Sequence, residues 1–400
     1  MNSQTKNTIV GIVAENENEA LTAATEGYCK IFRSWGHEAL MIDFRKPESI
    51  KLFQELLKKN DIAFGFGLQG IGSRLRAGDN QTNLWQAFKV PFLGIHHDHP
   101  CYNYNNHSCE SPFVANLYHY ESFLETKEKY LPSDQISIAR PFGLLADLPK
   151  PWVPFSERPI KFLYLKSGVF PAAAKEDALY WQELPKPVQD AVTQQLERAR
   201  QNPNLQLCDL AADLFSALGY NYLELQPTFW GIVRFMDRTL RNERSNIFVE
   251  WLKKQEGALI IGNGWDHIDK KNARAEFKPA VSSYGSFSLY VRSQITCNTS
   301  PYCRDMIHER TIFGLAAGTC LITDSNMWWE SHGRNCPSIH LYQWNAPLAD
   351  QMEPLLANAG SLEERAAQSL ALSQDLFPKQ NLKTLFDLVE RVRTKTGTLL

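Results

Sequence analysis

The stretch Tyr290–Asp324, YVRSQITCNTSPYCRDMIHERTIFGLAAGTCLITD, reads as strand, polar turn, helix and strand. Gln294 to Cys297 is a short strand, and the turn after it carries Asn298, Ser300, Arg304 and Asp305. A helix opens near His308, and a β-branched strand, Leu321 to Thr323, comes directly after Gly318. In an open parallel sheet the N-terminus of such a helix faces the crevice beyond the carboxyl ends of the strands. It carries about half a positive charge and several unpaired N–H groups, which suit a phosphate. Arg310 in the first turn adds a planar fork able to take two phosphate oxygens. An arginine is otherwise unfavourable at that end, so it calls for an anion, either Asp305 or a ligand. Glu309 either steadies the helix dipole or holds sugar hydroxyls. The segment is read as a site for a nucleotide diphosphate.

Working outward, the chain alternates strands and helices. Thr8–Val13, Ala39–Ile42, Asp61–Phe66 and Pro91–Ile95 have strand character, with helical spacing in Asn18–Trp35 and again from Ile50 to Leu57. This alternation implies βαβ units and a parallel sheet. Gly65–Ser73, GFGLQGIGS, lacks the dinucleotide fingerprint spacing and is read as a turn permitting close approach of a second domain. Pro149–Pro159 holds four prolines and is read as a linker. Lys161–Leu165 then starts a second sheet, continued by Ala258–Ile261, Gln294–Cys297, Thr319–Thr323 and Ser338–Leu341. A helical insertion occupies about 171–254, and the expected domains are 1–155 and 156–377.

The 400 residues suit two α/β domains, and the net charge of −2 gives no electrostatic footprint for nucleic acid. Apolar runs are strand-sized, so no membrane span is expected. The start, MNSQTKNTIVGIVAENENEA, is unlike a signal peptide, and the eight cysteines form no CxxC pair, which together point to a cytoplasmic protein with reduced thiols.

The pattern Pro301-x-x-Arg304-Asp305-x-x-His308-Glu309-Arg310, then Gly318 and Thr323-Asp324, resembles the CgeB-like glycosyltransferases, relatives of the GT-B enzymes. Upstream, Gly262-Asn263-Gly264-Trp265 is similar to the strand-ending G-x-G-W of the same family. The resemblance implies a GT-B fold, two Rossmann-like domains facing each other across a cleft. The terminal helix, about 378–400, would pack back on the first domain. It implies donor binding in the second domain, by Asn298, Arg304, Asp305, His308, Glu309, Arg310, Gly264, Trp265 and Arg234. The donor is expected to be a nucleotide-diphosphate sugar, UDP-linked, with no metal and no further cofactor. The acceptor would be held by the first domain. Many GT-B enzymes carry a ribose-binding glutamate on this helix, where this chain has Phe313. An epimerase or hydrolase on the same scaffold, or a non-catalytic nucleotide- or sugar-binding protein, therefore stands as the alternative.

Two further clusters bear on chemistry. His96-His97-Asp98-His99-Pro100, with His107 nearby, lies directly beyond a strand. Three readings are open: a metal site using His97 and His99, a locally hydrogen-bonded loop, or a catalytic segment facing the acceptor. In the third, Asp98 is the base and His97 or His99 orients or replaces it. Arg234, Arg238, Arg241 and Ser245 share one helix face. They form either a solvated basic stripe or a face that brings Arg234 or Arg241 to the donor phosphates.

Overall fold

The computed structural model describes residues 8–14, 19–78, 81–141, 143, 148, 150, 153–357 and 362–398. The chain forms two compact units, 1–147 with 377–400, and 148–376.

The first unit is built on strands β1 (Thr8–Val13), β2 (Glu38–Asp43), β3 (Ile62–Leu68), β6 (Phe92–His96), β7 (Val114–Tyr118) and β8 (Ser137–Ala139). They form one all-parallel sheet in the order β2-β1-β3-β6-β7-β8. All six β1 residues, TIVGIV, are buried, as a strand covered on both faces requires. Helix α1 (Glu19–Ser34) and the C-terminal helix α14 (Thr384–Thr396) cover one face. There Tyr28, Phe32, Leu385, Leu388 and Val392 pack with Phe66, Leu93 and Leu117. Helix α2 (Pro47–Lys59) and the single turn α3 (Leu84–Ala87) cover the other face through Phe53, Leu57 and Trp85. Two two-residue strands, β4 (Arg76–Ala77) and β5 (Thr82–Asn83), pair in the β3–β6 connection. Helix α4 (Glu121–Tyr130) joins β7 to β8.

The second unit repeats the plan. Strands β9 (Ile160–Leu165), β10 (Ala258–Ile261), β11 (Glu276–Lys278), β12 (Ser293–Cys297), β13 (Cys320–Asp324) and β14 (Ile339–Tyr342) form a parallel sheet ordered β11-β10-β9-β12-β13-β14. Between β9 and β10 runs the helical insertion: α5 (Pro171–Glu183), α6 (Lys186–Gln201), α7 (Leu207–Ala217) and α8 (Gln226–Leu252). The last turns of α8 enter the core through Phe248, Val249, Trp251 and Leu252. Helices α9 (Ser283–Tyr290), α10 (Glu309–Ala316), α11 (Met327–His332), α12 (Leu348–Ala357) and α13 (Leu362–Leu376) complete the unit.

Four differences from the sequence reading are structural findings. Strands β7, β8 and β11 were not anticipated: β8 and β11 have three residues each, too short for a period, and β7 carries Asn116 inside an apolar run. From 153 onward the proline-rich stretch is no free linker. Arg158 donates to Ser293 O (2.8 Å), Gly318 O (3.0 Å) and Ala317 O (3.1 Å), tying 153–158 to the second unit, so the boundary falls at 147 instead of 155. In the Gly65–Ser73 turn, a Cβ on Gly70 would lie 2.9 Å from Asn106 Cβ, and one on Gly72 would lie 3.0 Å from Ile12. These glycines admit neighbours from their own unit.

Candidate active site

In the second sheet β9 lies at the centre, and the chain proceeds to β10 on one side and to β12 on the other. This reversal places a crevice beyond the carboxyl ends of β9 and β12, the position where open α/β sheets bind ligands. The residues that follow those two strands meet there. Lys166, immediately after β9, donates to Thr299 Oγ1 (2.8 Å), which also meets Tyr164 OH (2.7 Å). Arg310, in the first turn of α10, donates to Asn298 Oδ1 (3.1 Å), Leu165 O (2.8 Å) and Thr299 O (3.2 Å). Its fork is thus aimed and fixed by the ends of β9 and β12, with three of its five N–H groups in use.

Around this pair the charge is lopsided. Burial, then the Arg310 and Arg241 guanidinia, hold the Lys166 ammonium well below its ordinary value, against the opposing pull of Asp324 and Asp237. Both carboxylates are already engaged. Asp237 takes Arg241 Nη2 (3.0 Å) and Tyr302 N (3.2 Å), and Asp324 takes Ser300 N (2.8 Å). A site that pushes a lysine toward neutrality is one that an anion would recharge.

The loops beside Lys166 are held by close backbone packing. Gly262 (φ +155) and Gly264 (φ +81) sit where only glycine is unstrained, and a Cβ on Gly262 would lie 2.2 Å from Lys166 O. Trp265 is 2% exposed, and its Nε1 donates to Lys166 O (2.9 Å). It therefore packs in the core and anchors the Lys166 turn, where the sequence reading had placed it against the donor.

The other expected donor residues divide. Asn298 is buried and works on Arg310, while its Nδ2 donates to Ser300 Oγ and Thr323 Oγ1. His308 caps α10, its Nδ1 accepting from Arg310 N (3.2 Å), and its carbonyl takes Thr311 N (2.9 Å). Two of the helix's N-terminal N–H groups are thereby used internally. Glu309 is exposed at the helix start. Cys303 Sγ lies 3.2 Å from Asp305 Oδ1, and Arg304 O takes Met327 N (2.7 Å). Arg234 lines a separate recess of about 240 Å³ between α5 and α8, with Glu176, Tyr180 and Phe235. Of the two arginines read for that helix face, Arg241 is the one that acts on Lys166. Arg238 pairs with Asp177 and Glu176 on α5. Phe313, at the expected acidic position, packs on Phe287 and Tyr290 (ring centroids 4.8 and 5.9 Å). Lys166 was absent from the sequence reading. Its signal is a buried strand ending in Lys-Ser-Gly at the head of a βαβ unit.

In the first unit the histidines gather beyond β6 and β7. His96 stacks on His107 and Tyr118 (4.0 and 4.9 Å), and its Nε2 meets Asn116 Oδ1 (2.9 Å). His107 Nδ1 meets Tyr118 OH (2.7 Å), and His97 lies against His119 (4.5 Å). Burial lowers His96 to about 4 and His119 to about 3, and drives His97 and His107 well down. These rings are neutral near pH 7. Among the described residues no group of three or more His, Cys, Asp or Glu side chains is placed to hold a metal. His99 Nδ1 accepts from Cys101 N (3.2 Å) and caps a short 3₁₀ turn, which is the locally bonded role. Asp98 is exposed, and its carboxylate takes Gln69 Nε2 (3.0 Å).

Residues 239–386 match the family model described as glycosyl transferase-like. Comparison with curated proteins finds no match. Among solved structures, the chain is similar to a sucrose-phosphate synthase from Thermosynechococcus elongatus (TM-score 0.55, 10% identity, covering 98% of this chain and 100% of that one). It is equally similar to an α-glucosyltransferase in complex with UDP and a 13-mer DNA (0.55, 10%, 96% and 100%). HepE of Anabaena in complex with UDP-glucose is a third (0.50, 8%, 98% and 100%). The fold is that of the GT-B glycosyltransferases, two Rossmann-like units with a helical insertion in the second.

Proposed function

We propose that this chain, a glycosyltransferase carrying a glycosyl transferase-like domain at 239–386, moves a sugar from a nucleotide-diphosphate sugar to an acceptor held by its first unit. The observation that carries the reading is the Lys166–Arg310 pair at the reversal point of the second sheet. There a lysine is driven toward neutrality and both nearby carboxylates are engaged. A diphosphate restores the charge on Lys166 and takes the N–H groups that Arg310 has left. Hydrogen bonds to charged groups are worth about 1.5–3 kcal/mol each. As the glycosidic bond breaks, charge grows on the diphosphate, so the same cations favour the transition state over the bound donor. They take the place that a divalent ion fills elsewhere, so transfer is proposed to be metal-independent. UDP in one of the similar structures and UDP-glucose in another make a UDP-sugar the first donor to test.

Asp98 is proposed as the group that takes the acceptor proton. It is exposed and held by Gln69, whereas neutral, low-pKa imidazoles such as His97 are weak bases. The Arg304-Asp305 to Thr323-Asp324 pattern further supports a place near the CgeB-like branch. Eight free thiols support a cytoplasmic location, and no described helix is long and apolar enough to cross a membrane. The test is calorimetry with UDP, GDP and their sugars, followed by product analysis with and without EDTA. Tight UDP binding and EDTA-resistant turnover are expected. Turnover abolished by EDTA and restored by manganese would overturn the metal-independent scheme.

A further inference from the structure

Arg244 lies on α8, one turn beyond Arg241, and is 8% exposed. Its guanidinium is held over the Tyr302 ring at 4.7 Å and the Trp344 ring at 5.3 Å. Among the described residues no hydrogen bond or ion pair reaches it. Asp324 and Asp237 act on it only through space, and burial outweighs them, lowering its pKa. Beside it, Trp344 Nε1–H is buried with no acceptor among the described residues. Arg244 is no remote residue. Tyr302, beneath it, continues the turn in which Thr299 takes Lys166 and Ser300 N meets Asp324, and Tyr302 N itself bonds Asp237.

Stacking on two rings offsets part of the cost of burying a cation, but it leaves five N–H groups unanswered. With Lys166 and Arg310 answering the two charges of a diphosphate and Asp237 bonded to Arg241, the Arg244 guanidinium and the Trp344 Nε1–H beside it still lack an acceptor among the described residues. Both are donors only. Hydroxyls of a neutral hexose offer lone pairs but no charge, whereas a carboxylate offers both and matches the flat guanidinium fork. We propose that Arg244, with Trp344 Nε1–H beside it, reads a carboxylate on the donor sugar, so that the substrate class is a nucleoside-diphosphate uronic acid. This rests on the donor reading given above.

The test measures binding of UDP, UDP-glucose and UDP-glucuronate by calorimetry to wild type, Arg244→Met and Trp344→Phe, with the GDP series used instead if GDP binds more tightly. Wild type is expected to bind the glucuronate at least tenfold more tightly than the glucose conjugate. Arg244→Met should reduce that ratio to within about twofold while leaving UDP affinity unchanged. Trp344→Phe, which keeps a ring under the guanidinium but removes the N–H, should reduce the ratio in part, and it serves if Arg244→Met fails to fold. Equal affinity of wild type for the two sugars would overturn the inference. So would a loss in Arg244→Met that strikes UDP and both sugars alike, since Arg244 would then hold the diphosphate or clamp the fold. A protein that binds UDP without discriminating sinks this inference alone. One that binds neither UDP nor GDP sinks the donor reading, and this inference with it.

Discussion

At the proposed donor site Lys166 and Arg310 are held differently, and their variants should differ. Lys166→Met removes an ammonium that, among the described residues, bonds only to Thr299, so nucleotide-diphosphate affinity should fall roughly ten- to hundredfold with little loss of stability. Arg310→Ala strands Asn298 Oδ1 and the carbonyls of Leu165 and Thr299, each costing about 1–3 kcal/mol if left unpaired. It should therefore lower the melting temperature as well as the affinity. Arg310→Lys should recover only part of each, because an ammonium cannot span three acceptors. Calorimetry and thermal denaturation read the two effects separately. At Asp98, substitution by Asn should leave donor affinity intact and slow transfer by about 10²–10⁴-fold. Transfer at the wild-type rate would assign the proton to another group. Arg310 was legible in the sequence because its partners Asn298 and Thr299 lie within a dozen residues. Lys166 was not, because its relation to Thr299 exists only once β9 and β12 pair.

At the scale of elements, the sequence showed long periodic features and missed brief ones. Strand β1 and helix α1 were readable, but the polar Asn116 in β7 and the three-residue β8 and β11 carry no period. The carboxyl ends of β6 and β7 set a pH response. His96 and His119 keep folded-state values near 4 and 3, against about 6.5 when unfolded. Between those values the unfolded chain binds more protons, so stability rises with pH across that window and is lost as pH falls below about 6.5. The denaturation midpoint should thus drop between pH 7 and pH 5. His119→Gln, which cannot titrate there, should show a shallower drop. Equal slopes in the two proteins would remove His119 from the account.

For the whole molecule, each unit has its own core, but only the second is continuous in sequence. A fragment comprising 148–376 should fold alone, melt cooperatively and bind the nucleotide with near-native affinity. Calorimetry on the fragment checks this, and affinity lost from a folded fragment would show that the first unit contributes to the donor site. The Pro149–Pro159 stretch suggested a boundary near the right place. Its position was displaced because Arg158, which reads as an ordinary surface cation, spans three carbonyls of the second unit.

Helix α14, which closes one face of the first sheet, has a consequence for how the protein is made. Leu385, Leu388, Val389 and Val392 cover Leu93 and Leu117, yet they leave the ribosome after all of 148–376. At about 5–20 residues per second, those residues take roughly 10–45 s to synthesise. Throughout that interval the part of the sheet face that α1 leaves bare stays uncovered while the second unit completes. A segment made later therefore covers one made earlier, and a translational pause or early stop before it would leave the first sheet open to chaperones or to aggregation.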